Sequence, residues 1–167
     1  MQNSGTIQAS ISGGGPVITS QSLHDVDFYA WTQQQVDFLK SGHLLEIDVK
    51  NLIEEIESMG ASERRELINR LAVLLAHLLK WHHQPSFRGR SWQLTIKEQR
   101  RQLQRLLKDN ASLQARLEEF MADAYLDAVL LAARETALEE TAFPDRCPYV
   151  QNDLLSMDFY PSAIEEH

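Results

Sequence analysis

From Leu67 to Leu79 apolar side chains recur at steps of three and four residues: Leu67, Ile68, Leu71, Leu74, Leu75, Leu78 and Leu79, with Ala72, Val73 and Ala76 widening the stripe. Only an α-helix gathers such a series on one side, and a stripe this broad has to be covered by other helices. The pattern therefore predicts an all-α fold with this helix at the centre of the core. Ser62, followed by Glu63 and Glu66, has the form of its N-cap, with carboxylates against the positive end of the helix dipole. Pro85 and Gly89 stop it.

The same spacing rules divide the rest of the chain. Asp25 or Asp27 caps a first helix through Phe28, Trp31, Val36, Phe38 and Leu39, ending at Gly42. A second helix runs from about Leu45 to Met59, its apolar residues Leu45, Val49, Leu52, Ile53, Ile56 and Met59 followed by Gly60 as a C-terminal stop. Ser91 caps a fourth helix with Trp92, Ile96, Leu103, Leu106 and Leu107 inward, closed by Asp109 and Asn110. A fifth runs from Asn110 or Ser112 to about Leu138, where Ala124, Ala128 and Ala132 let a neighbouring helix approach closely. Phe143 to Tyr149 form an irregular aromatic strap, and no segment alternates as a strand would. The expectation is a single-domain helical bundle of about five helices over residues 23–160. A flexible polar leader, 1–22, precedes it and a tail, 161–167, follows.

Composition narrows the classes open to such a bundle. No apolar run approaches the roughly 20 residues that cross a bilayer, and the longest, Leu71 to Leu79, is broken by His77, so no membrane association is expected. Cys147 is the only cysteine, which leaves no intrachain disulfide, CxxC pair or cysteine-based zinc site. The first 22 residues lack a basic start and an apolar h-region, and a cytoplasmic location is expected. The net charge of −8 divides as −4 over residues 1–87, +6 over 88–108 and −10 over 109–167. The basic helix is expected to be neutralised by the acidic helix after it.

Candidate chemistry sits where polar groups flank apolar stripes. On the second helix Asp48, Asn51 and Glu55 fall together beside the stripe, whereas Lys50, Glu54 and Glu57 face away from it as surface decoration. His77, His82 and His83 diverge around their helix, so at most one serves any site; His82 shares a side with Leu71, Leu75 and Leu78, as a buried neutral imidazole satisfied by a carboxylate or carbonyl would. Glu135 lies on the apolar side of the fifth helix and calls for a partner such as Arg, His or Trp. With Arg88, these residues are the candidates for lining an inter-helix crevice. No Glu-x-x-His pair, phosphate loop, dinucleotide turn, nucleophile elbow or HExxH helix occurs, and no cofactor or metal is expected. Lys97, Arg101, Arg105 and Lys108 form a basic surface on the fourth helix, with Arg88 and Arg90 in the loop before it.

Several of these stretches together resemble one family. Asp27 to Trp31, the run DVKNLIEEIE from Asp48 to Glu57, Ser58 to Gly60 and Ser62 to Arg64 are similar to the bacterial family catalogued as domain of unknown function number twenty-nine. The similarity continues through His77 to Trp81, Gln84, Pro85, Arg88, Ser91, Trp92, Ile96, Gln99 and Arg100. It extends to Tyr125, Ala128, Ala132, Thr136, Phe143, Pro144 and Cys147 to Tyr149. The resemblance covers about residues 23–160, implies an all-helical fold, and supplies no catalytic residues.

Three functions compete on this footing. The first is a non-enzymatic interaction module, pairing with itself or with another protein, motivated by apolar faces on the third and fifth helices wider than a five-helix bundle must hide. The second is a small-ligand- or metal-dependent enzyme built on the polar crevice. The third, nucleic-acid binding through the basic helix, is disfavoured by the overall acidity.

Overall fold

In the computed structural model residues 20–163 are described, with side chains from residue 23 onward. Residues 1–19 of the expected flexible leader and 164–167 of the expected tail therefore lie outside the described residues. The helices are α1 (Ser20–Val26), α2 (Phe28–Ser41), α3 (Val49–His83), α4 (Arg90–Asp109), α5 (Ala111–Gln114), α6 (Leu117–Thr136) and α7 (Gln151–Leu155). Short 3-10 turns lie at Leu44–Glu46, Pro85–Phe87 and Glu140–Ala142, and no strand occurs among the described residues. The fold is all-α. Its contacts divide the chain into two units, one reaching Ser58 and the other starting at Met59.

The first unit is set by local capping chemistry. Asp27 accepts the backbone N–H of Ala30 at 2.9 Å and so starts α2. Gly42 ends it in the left-handed conformation, φ 74°, which a side chain would strain, while the N–H of His43 reaches back to the Phe38 carbonyl at 2.9 Å. Trp31, on the inner side of α2, is buried.

One expected boundary is absent. Gly60 does not stop a helix, and Ser62 is not an N-cap: α3 runs through both without interruption. A glycine stop needs a left-handed residue, and Gly42 is the only described glycine with positive φ. A helical glycine costs only about 1 kcal/mol relative to alanine, too little to break a helix whose neighbours are good formers.

In the second unit the stripe read from the sequence is the core. Leu67, Leu71, Leu74, Leu75, Leu78 and Leu79 of α3 are fully buried with Ile96 and Leu103 of α4 and Phe120 of α6. Ala124, Ala128 and Ala132 are buried completely, as close helix packing requires. The expected fifth helix is broken: α5 ends at Gln114, and α6 starts afresh at Leu117, with Glu118 and Glu119 in its first turn where the helix dipole favours them. Ala137 closes α6 at φ 57°, a left-handed position taken by a residue with a Cβ. Phe143 and Leu154 then bring the strap and α7 onto the core.

A buried arginine fixes that strap. Arg100 of α4 is wholly inaccessible; its Nε donates to the Leu154 carbonyl at 2.9 Å and its Nη2 to the Phe159 carbonyl at 2.7 Å. The guanidinium lies over the Tyr160 ring, 5.5 Å from its centroid.

Candidate functional site

Asp48, Asn51 and Glu55 all belong to the first unit, at the head of α3. The carboxylate of Asp48 accepts the Asn51 side-chain amide at 2.7 Å, the Trp31 indole N–H at 3.3 Å and the Asn51 backbone N–H at 3.4 Å. Its own backbone N–H donates to Gln35 Oε1 at 2.7 Å. Asp48 is thus the N-cap of α3, tied at once to α2, and three protein donors occupy most of its roughly four acceptor positions. Glu55 accepts from His24 Nε2 at 2.9 Å, and the imidazole stands edge-on to Trp31, 4.7 Å between centroids. The Glu55 hydrogen bond raises the His24 pKa above its ordinary value; partial burial opposes this, and Asp25 adds to it. The three candidates therefore form parts of a hydrogen-bonded belt that holds α1, α2 and the start of α3.

His82, Arg88 and Glu135 belong to the second unit, and each has its own partner. Glu135 accepts from Lys80 Nζ at 2.5 Å, so the Arg, His or Trp expected there is a lysine. Lys80 is 4% exposed and lies 4.5 Å above the Trp92 ring, its aliphatic stem reaching through the core to the carboxylate. Burial pushes the Glu135 pKa up, but Lys80, with help from His77 and Arg134, overcomes this and holds it below the usual range. His77 donates to the Val73 carbonyl at 2.9 Å, and burial lowers its pKa, so it is neutral at pH 7. His82 is half-buried rather than buried as expected, and it hydrogen-bonds the Ser162 carbonyl. Arg88 donates from Nε to the Trp81 carbonyl at 2.7 Å and lies over the Trp81 ring.

Beneath the strap, Met121, Tyr125, Leu126, Cys147, Tyr149 and Val150 line an open groove of about 470 Å³. Burial raises the Cys147 thiol above its usual range and the Tyr125 phenol to about 12, so neither is an ionised nucleophile at neutral pH. Among the described residues no three His, Cys, Asp or Glu side chains converge as a metal site would need.

The surplus apolar surface lies elsewhere than expected. The third and fifth predicted helices spend most of their apolar faces in the core of the second unit, although Leu126 and Leu130 of α6 stay exposed. In the first unit, however, Val49, Ile53 and Ile56 are 56%, 51% and 61% exposed. On a helix they form one narrow stripe, at spacings of four and three. Lys50 and Glu57, expected to face away from the wider stripe of this helix, lie together along one edge of this narrower one, with Lys50 4.0 Å from Glu54.

The basic face of α4 is not neutralised as expected. Lys97, Arg101, Arg105 and Lys108 are exposed, and no ion pair among the described residues involves them. Three of the five carboxylates of α6 are engaged elsewhere, Glu119 with Arg116, Asp123 with Arg64 and Glu135 with Lys80, and Glu118 and Asp127 pair with none of the four cations. No described helix is long and apolar enough to cross a membrane.

A family model described as "Domain of unknown function DUF29" matches residues 23–160. No curated protein and no solved structure matches the chain.

Proposed function

The chain belongs to the DUF29 family, and from that premise we propose that it is a non-enzymatic interaction module that pairs with a second copy of itself through the first turns of α3. The observation that carries this reading is the exposed stripe of Val49, Ile53 and Ile56. Branched side chains at four-then-three spacing are the seam by which helices pair, and leaving them in water forfeits the gain from burying them.

The flanking charges favour a second copy, antiparallel, over an unrelated partner. In such a pair Lys50 of one chain faces Glu57 of the other, and the reciprocal contact forms at the same time. The midpoint between these two positions falls between Ile53 and Glu54, one residue from the midpoint of Val49 and Ile56, so a twofold axis beside Ile53 brings both the charges and the apolar stripe close to register. The lone, half-buried Cys147 suits a reducing cytoplasm.

Size-exclusion chromatography with light scattering tests the reading. The wild type is expected to be a dimer at tens of micromolar, and Ile53→Glu with Ile56→Glu a monomer of unchanged helicity. Lys50→Glu or Glu57→Lys alone should weaken the dimer, and the two together restore it. A wild type that stays monomeric at high micromolar concentration overturns the proposal.

A further inference from the structure

We propose that the outward face of α4 is a docking surface for single-stranded RNA. Arg90, Lys97, Arg101, Arg105 and Lys108 fall within an arc of about 80° at 100° per residue and extend over about 27 Å at 1.5 Å per residue. All five are exposed, and none is ion-paired among the described residues. The steps from Lys97 to Arg101 and on to Arg105 are each about 6 Å. That is of the order of the phosphate-to-phosphate step in an extended strand. A single row of cations one helix wide can follow one backbone and does not span two.

Two neighbours of the row decide which polyanion it suits. Phe87, just before α4, is 68% exposed and offers a ring on which an unpaired base can stack. Glu98 lines the same groove, of about 360 Å³, as Lys97, Arg101 and Arg105. A carboxylate repels phosphate unless the ligand brings it a donor, and the ribose 2′-hydroxyl is the donor that DNA lacks. The overall charge of −8 does not prevent docking, because at physiological salt charges more than about 8 Å away are largely screened.

Fluorescence anisotropy with labelled ribo- and deoxyuridine homopolymers of about 20 nucleotides, titrated with the full chain at increasing KCl, tests this. The expected result is binding of the ribo form several-fold tighter than the deoxy form, with log K falling against log salt at a slope of about −3 for four to five phosphate contacts. Arg101→Glu with Arg105→Glu should weaken binding by about tenfold or more. Phe87→Ala should weaken it several-fold without changing the slope, and Glu98→Ala should bring the two polymers to one affinity. All four side chains are exposed, and circular dichroism verifies that each variant is folded. The proposal is overturned if the two polymers bind the wild type equally, or if the charge reversal leaves binding intact. It is equally overturned if poly-glutamate displaces the RNA at equal charge concentration, which would assign the stripe to an acidic protein.

Discussion

Glu55 shows how one contact separates a structural carboxylate from a ligand-binding one. If it were one of several crowded carboxylates held for a cation, Glu55→Gln would leave the protein as stable or more so. Its observed partner is His24, whose pKa it raises above 6.5. A histidine with a raised folded-state pKa gives its full stabilisation below 6.5, and that stabilisation is lost as pH rises through the folded value. Glu55→Gln should therefore unfold at lower urea than wild type at about pH 5.5, and the difference should close by about pH 9. A variant at least as stable as wild type at the lower pH would refute the pairing role. The partner itself was not legible in advance, because His24 is 31 residues away and no local spacing connects the two. Lys80 shows the same limit: a lysine between a core leucine and a tryptophan gives no sign that its stem will carry the ammonium to Glu135. Arg100 was harder still, since its partners are backbone carbonyls, which leave no mark on the sequence.

At the level of elements, signals that act within four residues were readable and those that depend on context were not. Asp27 and Gly42 bound α2 as expected because capping is a local hydrogen-bonding matter. Gly60 and Ser62 carry the same residue types without the conformation, and α3 passes through them. If Gly60 is an ordinary helical residue, Gly60→Ala should stabilise the protein by about 0.5–1 kcal/mol. Beyond its chain neighbours and its own helix backbone, no heavy atom lies within 4 Å of the added Cβ, so no clash offsets the gain. Gly42→Ala, at a left-handed position, should destabilise it by about 1 kcal/mol. Equilibrium denaturation of both variants checks the pair, and a destabilised Gly60→Ala would mean that the glycine is needed as a bend. The start of α6 at Leu117 could have been read from Glu118 and Glu119, whose charges mark a helix N-terminus.

For the whole molecule, pairing through α3 makes stability depend on concentration. A partner that binds only the folded state raises the midpoint by mass action. The wild-type thermal midpoint should therefore fall by a few degrees on hundredfold dilution, and that of Ile53→Glu with Ile56→Glu should not. A concentration-independent wild type would count against pairing. The core stripe and the all-α fold followed directly from periodicity, whereas the exposed stripe did not, because the same apolar spacing describes a helix that is covered and one that is bare. Arg100 also makes one part of the core depend on the far end of the described chain. Without residues 154 to 159 its guanidinium would lose the carbonyls that receive its hydrogen bonds, and holding a cation in the core without them is costly. Without the strap that side of α4 would have to keep its guanidinium hydrated, so the core around Arg100 is complete only once residues 154 to 159 are in place.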